Sequence, residues 1–433
     1  MVNNPGYGGG GNIMKIAVVG GGNIGTQFAV HSAAKGLSVR MFTSSPDHFA
    51  KHLLETDKQD NVTCEGDIEF ATNDAHKAFC DADMIMITMP PTMMIPLAEL
   101  ILEHADERAM IGFVPGNGGF EFAFRDCLER GNVIFGIDRV PAIARLTERG
   151  RAVCCSGFKE KLFVAALPSA HTESCAALIE SIYDIPCVRL PGFMALTLTP
   201  SNPILHTSRL MTIFRDYEPG VTYDSLPLFY EEWDDASSEL LMACDDEIQA
   251  ICRALPGMGL EHVVSEREFY GADTAADMTR AICTEESLLG LTTPSVHADT
   301  FEDAGRGYSG VKSERKDKHA RIQKHIQRRM EWRARIAARS EARRQERPGR
   351  QSGQEKAKEN AGLIPDLHSR YFTADFPYGL TVIQQIGHLA GVPIPAIDGL
   401  IDWYDRIALV NDKLYLSDYG TDSLDDLKEF YSR

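Results

Sequence analysis

The sequence predicts an α/β fold, with an N-terminal doubly wound parallel sheet followed by a C-terminal all-helical domain. Three observations predict it. KIAVVGGGNIG, residues 15–25, sets a short apolar strand directly before a glycine-rich turn and the start of a helix. Further apolar runs at 37–42, 68–72, 83–89, 109–114 and 133–137 alternate with helical stretches, the pattern of stacked βαβ units. From about residue 191 the apolar spacing changes to steps of three and four, the period of a helix.

The first element carries the clearest motif. Lys15 to Val19 is the strand, Gly20-x-Gly22-x-x-Gly25 the turn, and an amphipathic helix from Asn23 to Lys35 ends at Gly36. In this strand–turn–helix context the glycines have separate tasks. Gly20 permits the tight turn, Gly22 lets backbone approach a pyrophosphate, and Gly25 lets helix and strand pack closely. The orphan N–H groups of Asn23, Ile24 and Gly25 at the helix start complete an anion site. This is the dinucleotide-binding, or Rossmann, pattern.

An acidic residue at the end of the second strand would mark a ribose hydroxyl site. Here that strand reads RMFTSSP, with Arg40 inside it and Thr43, Ser44 and Ser45 at its tip. Hydroxyls with a nearby cation suit a 2′-phosphate, so the expectation leans to NADP over NAD. The strand at 83–89 ends at Pro90-Pro91, and the strand at 109–114 ends in PGNGG around Asn117. Pro90 and Asn117 therefore join Gly20–Gly25, Thr43 and Ser44 as cofactor candidates, since ligands of such sheets bind outside the carboxyl ends of the strands.

The second half yields the chemistry. In SNPILHTSRL, residues 201–210, Ser201 or Asn202 can cap a helix and Pro203 suits its first turn. Asn202, His206 and Arg209 then share one face, a combination a plain core stripe would not use. Residues 228–255 read as one long helix, and 381–390 and 396–408 as two more. SRYFTADFPYGL, residues 369–380, places Asp375 among apolar neighbours before a Pro-Tyr-Gly turn. A carboxylate buried there needs a partner, and a histidine is the natural one, because the carboxylate fixes the imidazole tautomer and steadies the imidazolium. Histidine as a residue type titrates near neutrality, as proton transfer requires, which makes His206 the candidate. Arg145 and Arg209 are candidate guanidinium anchors for substrate carboxylates. Asn202 either orients the substrate or caps its helix.

Composition bounds the partners. The 433 residues include 44% apolar and 24% charged side chains, ordinary for a globular protein of two or three domains. No apolar run reaches the roughly 18–20 residues of a membrane helix. Ten cysteines without a C-x-x-C pair or metal-ligand spacing point to reduced thiols, a cytoplasmic setting and no metal. Residues 1–13 form a Gly-rich tail without signal-peptide character, and Met14 is an alternative start. The expected organisation is a dinucleotide-binding domain at 14–190 and a helical catalytic domain at 191–433, the latter interrupted by a basic insertion at about 305–360. Between Lys312 and Arg350 stand 15 Lys/Arg against 5 Asp/Glu, so the rest of the chain holds −28 of the total −18. The acidic body argues against nucleic-acid binding, and only this insertion has the charge to support it. A monomer or homodimer is expected.

The glycine-rich turn, N-P-x-x-H with Arg209 after it, FYEEWDD and SRYFTADFPYGL together resemble the octopine/nopaline (opine) dehydrogenase family over nearly the whole chain outside the tail and the insertion. The resemblance implies a helical dehydrogenase domain and an active site between the two domains, with His206 as the proton-transfer residue and Asp375 as its partner. It also implies the reaction: an amino acid amine condenses with a 2-oxo acid, and hydride from NAD(P)H reduces the imine. Two alternatives stand beside it. One is a two-domain reductase of a 2-oxo or 2-hydroxy acid without an amine partner. The other is a non-catalytic Rossmann protein that senses NADP(H) or binds nucleic acid.

Overall fold

The computed structural model describes residues 13–286, 288–300, 362–408 and 413–433. The basic insertion and the N-terminal tail lie outside the described residues.

Twelve strands build the N-terminal part: β1 (Lys15–Val19), β2 (Ser38–Phe42), β3 (His52–Thr56), β4 (Val62–Asp67), β5 (Phe70–Thr72), β6 (Met84–Ile87), β7 (Met110–Phe113), β8 (Ile134–Ile137), β9 (Ile143–Glu148), β10 (Ala152–Ser156), β11 (Leu162–Leu167) and β12 (Cys187–Arg189). The main sheet runs β12-β11-β8-β7-β6-β1-β2-β5. From β5 to β8 the pairs are parallel, as the apolar runs predict. The edge departs from that expectation, because β11 lies antiparallel to β8. A second sheet, β4-β3-β10-β9, covers the helix Asn23–Ala34. Its strands escape a hydrophobicity reading because β4 and β9 are mostly exposed and carry little apolar alternation.

Alternation along β1 assigns its two faces, since successive side chains point to opposite sides. Ile16 and Val18 enter one core with Phe28, Ile179 and Ile182. Ala17 and Val19 enter the other, which continues without a break into Ile204, Leu210, Phe229, Trp233, Phe376 and Trp403 of the helical part. The two parts therefore share a core. The last helix, Leu424–Tyr431, returns to the first part, where Phe430 stacks on Phe122 with centroids 4.8 Å apart and Tyr431 Oη donates to Glu121 Oε1 at 2.6 Å.

Two sequence expectations change in the helical part. The long helix begins only at Asp235 and runs to Ala254, with Asp234 as its N-cap accepting from Ser237 N–H. Residues 228–234 instead form an open loop, because the carbonyls a helix would use are taken by Arg209. The segment 371–380 is not a turn. Tyr371–Leu380 is a π-helix that continues directly into the α-helix Thr381–Leu389. Pro377, which lacks an N–H, sits inside this wide stretch, and Thr381 Oγ1 donates to the Phe376 carbonyl at 2.8 Å.

The strands Ser295–His297 and Leu363–Pro365, which flank the basic segment, pair antiparallel. The framework on its two sides is thus continuous, as the sequence on either side suggests.

Among the described residues no helix is long and apolar enough to cross a membrane, and no group of three His, Cys, Asp or Glu side chains is arranged to hold a metal. All ten cysteines are free thiols.

Candidate active site

The glycine turn has the shape a dinucleotide needs. Gly20 has φ +112°, and a Cβ there would stand 2.7 Å from Thr88 Oγ1. A Cβ at Gly25 would fall 1.8 Å from the Gly20 carbonyl oxygen, so helix and turn touch only because Gly25 lacks a side chain. A Cβ at Gly22 would meet nothing within 4 Å. The helix start therefore opens at Gly22 onto free space, and its first N–H groups point there. The residues present fit a pyrophosphate. Asn23 and Ile24 contribute backbone only. The Asn23 side chain accepts from Leu146 N–H at 2.9 Å, and Ile24 packs between the two sheets.

The tip of β2 holds Thr43, Ser44 and Ser45. Arg40 is not their cation. Its guanidinium is 6% exposed and turned away, donating to Glu69 Oε2 at 3.0 Å and to Asp81. A different arginine lies beside them: exposed Arg149 brings Nη2 within 3.5 Å of Ser45 Oγ. The sequence distance of 104 residues hides this neighbour.

Pro90 leads into the short turn Pro91–Met93 at the end of β6. In the β7 turn, Asn117 Nδ2 donates to Ser201 Oγ at 3.1 Å, joining the sheet to the cap residue of the His206 helix. A Cβ at Gly119 would lie 2.9 Å from Val382, so that glycine serves the contact between the two parts.

The helix Asn202–Ile213 carries His206 in its second turn. Ser201 takes the cap position without a side-chain cap bond, and Asn202, the first helical residue, is exposed with Pro203 behind it. His206 is 2% exposed. Its Nδ1 lies 2.7 Å from Asp375 Oδ2, and its Nε2 lies 2.7 Å from Tyr230 Oη. The structure thus brings together the two residues singled out as catalytic. The approach depends on Gly379, where a Cβ would be 2.5 Å from the Pro203 ring. The wide π-helix presents Asp375 across that contact.

Arg209 does not reach this cleft. It is fully buried and donates to the carbonyls of Phe229 at 3.0 Å, Leu228 at 3.4 Å and Glu232, to Asp234 Oδ2 at 2.9 Å and to Ser237 Oγ at 3.1 Å. The expectation that it binds a substrate carboxylate is corrected: its donors are spent on the 228–234 loop. That loop carries Tyr230, so Arg209 holds the tyrosine that meets His206.

Other residues at the site were not singled out in the sequence. Tyr371 sets its ring edge-on to His206 with centroids 4.4 Å apart. Burial pushes the Tyr371 hydroxyl up, opposed by the Arg370 and Arg145 guanidinia, while Asp375 adds to the rise. Both guanidinia are thus within electrostatic reach of Tyr371. Exposed Arg370 lies with Cζ 5.7 Å from the Tyr371 ring centroid and forms no ion pair among the described residues. Among the described residues, exposed Arg145 donates only to its neighbouring Ala144 carbonyl at 3.0 Å. Arg139, after β8, donates to the Pro200 carbonyl at 3.1 Å, packs over Phe269 at 4.0 Å and stands 4.0 Å from Glu266 Oε1. The signal that could have found Tyr230 and Arg370 was adjacency: one lies inside FYEEWDD, the other five residues before Asp375.

Comparison with known proteins agrees with this architecture. Residues 189–408 match the family described as NAD/NADP octopine/nopaline dehydrogenase, alpha-helical domain, and residues 15–115 match the N-terminus of NAD-dependent glycerol-3-phosphate dehydrogenase. The chain is 30% identical to the uncharacterized protein y4xO of Sinorhizobium fredii, over 65% of this chain and 81% of that one. It is 24% identical to octopine dehydrogenase of Mizuhopecten yessoensis, over 94% of this chain and 92% of that one. A solved octopine dehydrogenase structure with NADH and L-arginine shares the fold, with TM-score 0.70 at 21% identity over 96% of this chain and 97% of that one. With half of its length matched to that family and a Rossmann-type domain before it, the chain belongs to the NAD/NADP octopine/nopaline dehydrogenase family.

Proposed function

We propose that this protein is an NAD(P)-dependent opine-type dehydrogenase, which joins an amino acid amine to a 2-oxo acid and reduces the imine to a secondary amine. The observation that carries the reading is His206 fixed at 2.7 Å by Asp375, on the helix whose first turn is bonded to the sheet's cofactor edge through Asn117. The relatives named octopine, tauropine and opine dehydrogenase support the same reaction class.

Bound NAD(P)H supplies the hydride. The protein's part is proton handling and orientation. An amino acid arrives as an ammonium, and its nitrogen becomes a nucleophile only after losing a proton. That proton comes to rest on His206, and Asp375 stabilises the imidazolium. After the nitrogen attacks the oxo carbon, the proton returns to the carbinolamine oxygen, which leaves as water. Arg370 and Arg145, which form no ion pair among the described residues, act on Tyr371 and supply anchors for the two carboxylates.

For the cofactor, the reading leans to NADP. No carboxylate stands at positions 42–45, and Arg149 beside Ser45 gives a 2′-phosphate a cation. Ten free thiols fit a reducing, cytoplasmic compartment.

The test follows NAD(P)H absorbance with 2-oxo acids alone and then with an amino-acid panel. Oxidation that requires both substrates is the expected result. Oxidation with the oxo acid alone would replace this reading with a simple 2-oxo acid reductase.

A further inference from the structure

Neither ring nitrogen of His206 is open to a substrate. Asp375 holds Nδ1 and the Tyr230 hydroxyl holds Nε2, each at 2.7 Å. With the carboxylate accepting from Nδ1–H, Nε2 carries the lone pair and Tyr230 O–H donates to it. Once the ring is protonated, Nε2–H donates to the tyrosine oxygen instead. The faces are closed too, with Tyr371 edge-on at 4.4 Å and Phe229 at 5.9 Å between centroids. The hydrogen bond from Nε2 continues to the Tyr230 hydroxyl, which gives a substrate proton a connected route to the imidazole through Tyr230.

We propose that Tyr230 is the catalytic residue that exchanges the proton with the substrate, with His206 and Asp375 acting behind it as a three-membered relay. The identity of the substrate atoms rests on the opine-type reading. In the first step the Tyr230 oxygen takes a proton from the substrate ammonium while its own proton passes to His206 Nε2. The amine then attacks the oxo carbon. In the return step Nε2–H passes to the Tyr230 oxygen as Tyr230 O–H passes to the carbinolamine oxygen. The C–O bond breaks with its electron pair on oxygen, water leaves, and the imine accepts the hydride. The proton borrowed in the first step is the one returned, so the relay ends as it began.

The placement of Tyr230 is built. Arg209 binds the carbonyls on both sides of it, at Phe229 and Glu232, and Trp233 stacks on its ring with planes 7° apart and centroids at 6.3 Å. Besides His206 at 2.7 Å, the titratable and charged groups acting on it include Tyr371, Tyr270, Asp375 and Arg370. Burial, then Tyr371, Tyr270 and Asp375, push its hydroxyl well above the ordinary tyrosine range, with Arg370 opposing. The hydroxyl thus stays protonated between turnovers and passes protons on without persisting as a phenolate.

The test is Tyr230→Phe under single-turnover conditions, with rates measured in H2O/D2O mixtures. The expected result is a rate loss on the order of a hundredfold, within the range for a general acid–base group, with NAD(P)H affinity and melting temperature unchanged. The dependence on deuterium fraction, curved in the wild type because two protons move together, becomes linear. A rate within about twofold of wild type overturns the proposal. A fluorinated tyrosine placed at 230 keeps the ring and the hydrogen bond while making the hydroxyl more acidic. A single-turnover rate that does not respond to that change also overturns it, even if the Phe variant folds poorly. Failure of the opine-type reading is separable. If the wild type oxidises NAD(P)H with the oxo acid alone, that reading falls, while the same variants still judge Tyr230, because a reduced carbonyl oxygen needs a proton as well.

Discussion

His206 Nδ1 and Asp375 Oδ2 meet at 2.7 Å across 169 residues of chain. The contact joins two helices of different pitch, and it stands because Gly379 lets the π-helix lie against Pro203. Asp375→Asn keeps the shape but offers the ring an amide that no longer stabilises imidazolium. The expected outcome is a folded protein with kcat reduced by roughly two to four decades, as when an oriented base loses its partner. Steady-state kinetics beside a melting curve checks this. A variant that only unfolds would make the carboxylate structural.

Arg209 and Arg370 should separate cleanly in their variants. Arg209→Lys loses the forked geometry that serves three carbonyls and Asp234 at once, so the melting temperature falls by several degrees, in line with breaking a buried charge network. Arg370→Ala leaves the melting temperature in place and raises KM for one substrate by about 10- to 100-fold, the scale of a lost charge-assisted contact. Thermal melts and substrate titrations on both variants test the assignment, and the reverse pattern would sink it.

The cofactor lean has its own discriminator. If Arg149, beside Ser45, serves a 2′-phosphate, Arg149→Ala should raise KM for NADPH by about tenfold and leave KM for NADH unchanged, since NADH has no such group. Equal effects on both cofactors would remove Arg149 from the site.

Glu266 gives a pH signature. It is 1% exposed, and burial pushes its carboxyl up to about 8, with Arg139 opposing and Asp245 adding to the rise. An unfolded chain ionises the same group near its ordinary 4.5. The raised folded value means that its contribution to stability is full below about 4.5 and is lost as pH climbs towards about 8. Glu266→Gln should therefore gain melting temperature relative to wild type at pH 8 and lose that advantage at pH 5. Parallel melting curves across this range would contradict the account.

Much of the fold was legible because local rules governed it. The apolar strands at 15–19 and 84–87 are buried on both faces, so they read as continuous hydrophobic runs. The glycine turn announced itself through its spacing. The second sheet did not, because its outer strands are exposed and depend on cover from the first helix rather than on their own hydrophobicity. Residues 228–234 misled in the same way. LFYEEW has helical spacing, but a buried guanidinium outcompetes helix formation for the backbone carbonyls. At the site, His206 and Asp375 were visible as polar residues in apolar stretches. Arg40 and Arg209 were plausible cations by position and proved to be engaged elsewhere.

By itself the sequence determined the parallel sheet, the glycine-rich turn, the helical second half and the residue types of the His206–Asp375 pair, because strand burial, glycine spacing and helical period act over a few residues. Only the tertiary structure decided which charges are spent and which are free. Arg40 is neutralised by Glu69 and Asp81, Arg209 by the loop it supports, while Arg149, Arg145 and Arg370 keep open faces. It likewise decided that the Tyr230 hydroxyl meets His206 Nε2. The physical reason is common to both: a guanidinium or a hydroxyl finds its partner by proximity in space, and that proximity is set by packing between segments far apart in the chain.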